Sequence, residues 1–304
     1  IADEMKRAVI SFSAIALTGL LYYLFVVPSE FSVRFISRTT PGDIIKTVRI
    51  WNRSLKDATI LDVDSFESLS QRIVHEGREY IYKWKFTRGD SVTNVRIDIT
   101  EPGRRIQNKA LVPFTDRPIE RAANDLARGF YNVLKAHLDI TRVNIIGLAE
   151  VQEKFCICSF IQASQLEKGN GMMREFMPLS TFVDEANLAT DGPPVIKIHH
   201  WSHQEDVLEF DFCFPLKQTV DMPDPKIFTY KTFPAELALK AEYFGNYITS
   251  DRAWYELIQF AADNGYQITG LPTEVFHNNP NLGINEKEWK ADVFLPVAAP
   301  KNNK

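Results

Sequence analysis

From Ala8 to Val27 the chain reads AVISFSAIALTGLLYYLFVV, twenty residues without a charge or a proline. The only polar side chains in it are Ser11, Ser13, Thr18 and the paired Tyr22 and Tyr23. A core helix of that length keeps a polar stripe, whereas an apolar run of about 20 residues matches the hydrocarbon thickness of a bilayer. The pattern predicts an N-terminal transmembrane helix with its tyrosines at the exit interface. A cleaved signal peptide is the competing reading; the length of the run and the lack of a small-residue cleavage site before Pro28 stand against it. Lys6 and Arg7 precede the run and Ser29 and Glu30 follow it. The positive-inside rule therefore puts the short N-terminus in the cytoplasm of a single-pass inner-membrane protein, with the soluble bulk in a bacterial periplasm.

Beyond residue 30 the period changes. Phe31 to Ser37 alternates like a strand, Thr40-Pro41-Gly42 punctuates, and Ile44 to Trp51 recurs at helical spacing. Ser68 to His75, Glu79 to Thr87 and Val92 to Ile99 alternate as a meander, broken at Gly77 and Gly89-Asp90, and a further extended stretch is expected near Arg105 to Phe114. Ile119, Ala122, Leu126, Phe130, Val133, Leu134 and Leu138 then mark one amphipathic helix over about residues 116 to 139. Strand, short helix, antiparallel strands and a long closing helix, with Tyr82, Trp84 and Phe86 alternating on one strand, resemble the START-like (SRPBCC, polyketide-cyclase-like) helix-grip fold over residues 31–140. That resemblance implies a curved sheet wrapped around the long helix and an apolar cavity. The family's tryptophan-rich segment is reduced here to Trp51-Asn52.

Laying the second half of the chain on itself finds a repeat. Gly192-Pro193-Pro194 and Ile198-His199 match Gly270-Leu271-Pro272 and Phe276-His277 at one offset. Asp211-Phe212-Cys213-Phe214-Pro215-Leu216 matches Asp292-Val293-Phe294-Leu295-Pro296-Val297 slightly further on. The copies, about 150–217 and 225–298, each read as strand, helix, strand, strand. In the first, the strand Phe155 to Ala163 leads to a helix ending near Asn187; in the second, strands Ile227 to Thr232 and Leu237 to Ala241 precede a helix Ser250 to Asn264. Phe244-Gly245-Asn246-Tyr247, Ala253-Trp254-Tyr255-Glu256-Leu257, Gly270 to Phe276 and Glu288-Trp289-Lys290-Ala291-Asp292 make residues 145–298 similar to the gyrase-inhibitor-like (GyrI-like) effector-binding domain. The expected fold is therefore α+β: an N-terminal transmembrane helix over residues 1–30, a START-like helix-grip domain, a duplicated β-α-β-β (SHS2-type) domain, and a polar tail over 299–304.

The second resemblance implies a groove between the repeats in which aromatic side chains hold a planar or cationic ligand and a strand carboxylate meets its positive charge. A carboxylate in an aromatic pocket is costly unless a cation pairs with it, so such a site selects cations. The residues offer two candidates. Asp292 alternates away from Val293 and Leu295, and Glu274 shares a face with Phe276 while its repeat counterpart is Ile196. Either is equally readable as an ordinary solvent-facing carboxylate. Tyr247, Trp254, Tyr266, Phe276 and Trp289 are the aromatics the resemblance places around the groove, with Trp201 and Asp211 on a mirrored half. Trp254 with Leu257, Ile258 and Ala261 reads as a plain buried face.

Composition narrows the remaining classes. A net charge of -4 and a pI near 5.9, with no Lys/Arg-rich stretch, give no footprint for nucleic acid. Three cysteines, Cys156, Cys158 and Cys213, argue against a disulfide framework and leave at least one thiol free. Cys156 and Cys158 share a strand face and read as small buried side chains or one redox-sensitive pair. Of His199, His200 and His203 only the first and last share a face, which is too few for a metal site. No nucleophile elbow, P-loop or dinucleotide fingerprint is present, and no cofactor is implied. Three functions stay open: a non-enzymatic module binding a hydrophobic or cationic small molecule; a structural subunit of a membrane complex, with Ser11, Ser13 and Gly19 toward a partner helix; and a hydrolase of strained electrophiles, which by resemblance would use Glu274 as base and Tyr247 as acid.

Overall fold

The computed structural model describes residues 2–27, 29–89, 92–112, 115–218, 221–280, 283 and 285–299. They form two compact units, Ile1–Pro41 with Ile45–Leu134 and Gly42–Ile44 with Lys135–Lys304. Each is α+β with its own antiparallel sheet. Asp90 of the expected break, the end of the stretch expected over Arg105 to Phe114, and the tail from residue 300 lie outside the described residues.

In the first unit, α1 (Ala2–Leu21) runs on through a π-helical turn at Tyr22–Val26. Met5–Val26 is long and apolar enough to cross a bilayer, with a mean hydropathy of 2.0 and no part of that window buried. Length and composition of this kind also suit a signal sequence. Then come β1 (Phe31–Ser37), α2 (Pro41–Ser54), β2 (Ala58–Asp64), β3 (Ser68–His75), β4 (Arg78–Arg88), β5 (Thr93–Thr100), α3 (Arg105–Leu111) and α4 (Pro118–Ile140). The sheet order is β1-β5-β4-β3-β2. Tyr80, Tyr82, Trp84 and Phe86 of β4 are buried while Lys83 and Lys85 are exposed, as the two-residue period of a strand requires. The β3–β4 hairpin turns on Glu76 and Gly77, both at positive φ (50° and 73°), a two-residue turn whose twist matches that of the strands. Phe130 of α4 packs its ring 4.8 Å from Trp84 and 5.6 Å from Trp51.

The stretch expected to be extended from Arg105 is instead the helix α3. Its buried residues are Asn108 and Lys109, so no apolar stripe announces it. Asn108 Nδ2 donates to Glu30 Oε2 (2.6 Å) and Glu101 Oε2 (2.9 Å). The Lys109 ammonium donates to the carbonyls of Tyr23 (2.9 Å), Leu24 (3.3 Å) and Val27, where the helix ending at Val26 leaves its last carbonyls without intrahelical donors.

The second unit contains β6 (Arg142–Val151), β7 (Lys154–Ala163), α5 (Lys168–Glu185), β8 (Val195–Ser202), β9 (Val207–Pro215), β10 (Thr229–Phe233), β11 (Glu236–Phe244), α6 (Arg252–Asp263), β12 (Thr273–Phe276) and β13 (Lys290–Pro296). Its sheet order is β10-β7-β9-β8-β12-β13-β11-β6. Each copy is therefore strand, strand, helix, strand, strand, one strand more than expected in the first copy. The opening strand of each copy pairs with the second strand of the other: β6 with β11 and β10 with β7. The copies meet at β8 and β12, where Ile196 faces Glu274, flanked by the pairs Lys197–Thr273 and Val195–Val275. The offset that lays Gly192 on Gly270 maps this register onto itself, so the Ile196–Glu274 pair marks the pseudo-two-fold axis.

One face of the sheet, carrying Ile161, Phe210, Phe212, Leu239 and Val293, packs with α5 and α6 into the main core. Each such side chain, fully buried, contributes about 1.5–3 kcal/mol. The other face carries Cys156, Cys158, Val195 and Cys213. Cys158 is disulfide-bonded to Cys213, its partner across the β7–β9 ladder, and Cys156 is a buried free thiol. The pairing of Cys156 with Cys158 is thus corrected. Residues two apart on one strand share a face, but the directly opposed residue on the next strand is nearer.

Candidate ligand-binding groove

The sequence around Tyr247 builds one wall of a groove in the second unit. After β11, Gly245 takes φ 139°, and Asn246 caps a short 3-10 turn, Tyr247–Thr249, accepting from the Ile248 amide at 3.0 Å. Tyr247 is thereby set against Phe276 (ring centroids 4.7 Å) and Trp289 (5.3 Å). Met172, Met173 and Phe176 of α5 form the opposite wall, Phe212 and Phe214 of β9 the floor, and Pro193, Pro194 and Asn278 close the ends. The cavity measures about 590 Å³. Phe176 sits 5.5 Å from Phe214 and 6.5 Å from Phe212, so the rings line the cavity without filling it.

The polar groups on this wall are largely committed. The Tyr247 hydroxyl donates to the Lys290 carbonyl (2.8 Å) and accepts from the Asn278 amide (3.0 Å). Burial pushes its phenol up to about 12, with the Asn278 bond pulling the other way and the charge of Glu274 adding to the rise. At neutral pH it is an uncharged donor. Asn278 Oδ1 accepts from the Lys290 amide at 2.7 Å. His277, at the rim, turns Nε2 to Asp292 (3.1 Å) and is the one ionisable group besides Tyr247 among the described lining residues.

Glu274 is fully buried behind the wall that carries Phe276. Its Oε1 takes a bond from the equally buried Lys168 ammonium at 2.7 Å, and its Oε2 takes one from Ser250 Oγ at 2.5 Å. Lys168 also donates to Ser250 Oγ (2.7 Å) and lies 4.7 Å above the Trp254 ring. Two charges out of water are tolerable only when paired and hydrogen-bonded in this way.

The sequence candidates separate accordingly. Tyr247, Phe276 and Trp289 converge on the groove, and Glu274 stands just behind it. Asp292 lies, as its alternation required, on the face opposite Val293 and Leu295, which is the face away from the groove. There it meets Lys240 (2.9 Å), His277 and Lys290 (3.4 Å). Burial alone would raise its carboxyl, but the hydrogen bonds and charges of Lys240 and His277 outweigh that and hold it below the usual carboxylate range. Asp211 occupies the matching position in the first copy, with His199 and Lys231 each at 2.5 Å. Trp201 packs on Trp254 (5.3 Å) and Tyr255 (5.7 Å), and Tyr266 stacks on Phe260 (6.3 Å); neither lines the groove. Among the described residues no group of three or more His, Cys, Asp or Glu is arranged to hold a metal ion. Sequence reasoning missed Lys168, Ser250, Met172 and Phe176. The alternation of Phe212 and Phe214 on a strand was the one available signal for the floor.

No protein-family model matches the chain, and no curated protein matches it. Solved structures do. The EcmrR C-terminal domain aligns over 53% of this chain and 99% of its own at 18% identity, with a TM-score of 0.45. SAV2435 bound to tetraphenylphosphonium aligns over 51% and 94% at 8% identity, TM-score 0.37. A hydrolase from Listeria innocua aligns over 50% and 92% at 13% identity, TM-score 0.34.

Proposed function

We propose that the chain is a membrane-anchored, non-enzymatic module that binds an apolar small molecule in the groove between Tyr247, Phe176 and Trp289. The observation that carries this is the cavity itself: about 590 Å³, walled by aromatic and thioether side chains. Pockets that hold small organic ligands span roughly 300–1,000 Å³ and are mostly apolar with few polar groups. The apolar helix Met5–Val26 supports the anchor. The hydrolase reading requires Glu274 and Tyr247 as its catalytic pair. Both Glu274 oxygens accept from Lys168 and Ser250, and the Tyr247 hydroxyl is bonded to Lys290 and Asn278, which weighs against Glu274 as the base and Tyr247 as the acid.

Native mass spectrometry of the full chain, extracted gently from its own membrane, tests the reading. A non-covalent small-molecule mass is expected on the wild type and absent from Met173→Trp, which fills the groove with a larger ring. Ligand-free masses for both, within a stoichiometric protein complex, would move the function to that of a structural subunit.

A further inference from the structure

The feature that the binding reading leaves unused is the ion pair on the pseudo-two-fold axis. Lys168 and Glu274 are both completely buried, and the same position of the first copy holds Ile196. A lone carboxylate there would draw a cationic ligand toward the wall formed by Phe276 and Tyr247, because an uncompensated buried charge costs several kcal/mol until a counter-charge arrives. The chain supplies that counter-charge itself. Lys168 immediately precedes Gly169 and Asn170, which line the groove, and its ammonium saturates Glu274 while Trp254 covers it from the aromatic side. Two further carboxylates hold amides of the groove lining: Glu167, half-buried, accepts from Asn170, and Glu286, exposed and screened by water, accepts from Asn246. Asn278 Nδ2 makes no hydrogen bond to any described residue, which leaves a neutral donor at the groove wall.

We infer that Lys168 acts as a built-in cation that cancels the charge of Glu274, so that the groove takes uncharged aromatic molecules and discriminates against lipophilic cations. This rests on the groove being a binding site, and the experiment separates the two claims. The probes are triphenylphosphine oxide and methyltriphenylphosphonium, nearly the same in shape and differing in charge. Each is measured by equilibrium dialysis on the full chain in detergent against empty micelles. The wild type is expected to bind the oxide at least tenfold tighter than the phosphonium. Lys168→Met exposes the charge of Glu274 and is expected to tighten phosphonium binding at least tenfold. Lys168→Met with Glu274→Met keeps the apolar volume, removes both charges and is expected to restore the preference for the oxide. Should Lys168→Met fail to fold, the wild type and the double variant still decide the matter: both must prefer the oxide. Equal affinity of the wild type for both probes would overturn the inference and leave the groove a binding site. Absence of binding by either probe to any variant would overturn the binding reading as well.

Discussion

The two copies in the second unit share a backbone plan and differ at the two places where chemistry sits. On the face away from the groove they agree: His199 pairs with Asp211 as His277 pairs with Asp292. At the neighbouring cross-strand position they diverge, because the disulfide Cys158–Cys213 stands where the second copy places Lys240 5.4 Å over the Phe294 ring. At the axis the divergence is complete, with Ile196 facing Glu274 and its buried lysine. Duplication explains the sheet; the differences locate where the second copy has been specialised.

Making the axis symmetric is the strongest way to break this comparison. Lys168→Met alone leaves an unpaired buried carboxylate and should cost about 3–5 kcal/mol, read as a lower urea midpoint and lost amide protection in β8 and β12. Adding Glu274→Ile, which gives both copies isoleucine at the axis, should recover that loss or exceed it, since an apolar pair replaces a desolvated ionic one. A double variant as weak as the single one would mean that the pair is not the origin of the cost.

The cross-strand position separates the copies by a smaller margin. Cys158→Ala with Cys213→Ala opens a loop with a sequence separation of 55 and should cost about 2–4 kcal/mol in the same denaturation series. Lys240→Met, on the mirrored site, should cost no more than about 1 kcal/mol. Buried Cys156, whose thiol burial pushes up to about 12, should resist alkylation until the sheet unfolds.

Tyr247→Phe sharpens the reading of the groove wall. Losing the bonds to Lys290 and Asn278 should cost about 0.5–1.5 kcal/mol, and an ultraviolet titration should lose one phenol ionising near pH 12. The smallest effect belongs to the shared face. Asp292 is held below its ordinary value of about 3.9, so its contribution is present above that pH and disappears as pH falls through the lower folded value. Asp292→Asn should therefore flatten the loss of stability below about pH 4, and parallel acid profiles for variant and wild type would contradict the assignment.

Much of this architecture was legible because burial wrote it into the sequence. Alternation along Tyr80–Phe86 and the spacing of Ile119, Ala122, Leu126 and Phe130 record side chains that are in fact buried. The repeat likewise came from residues that hold the turn and strand geometry at Gly192 and Gly270. What escaped was written in exposed or polar residues. β2 and β6 are edge strands with few buried positions, and Gly147, at φ 105°, breaks the alternation of β6 where its register shifts. α3 buries asparagine and lysine, the inverse of an amphipathic signal. At the site, the aromatics Tyr247, Phe276 and Trp289 were within reach of pattern and resemblance. Lys168 was not, because a lysine beside Gly169 and Gly171 reads as solvent-facing until the fold shows it without solvent.

That the groove holds an uncharged aromatic ligand can be seen in a crystal of the full chain soaked with (4-bromophenyl)diphenylphosphine oxide. A bromine anomalous peak is expected in the cavity between Tyr247, Phe176 and Trp289, and none in Met173→Trp. Bromine found only in the first unit or in the detergent around the apolar helix would contradict it.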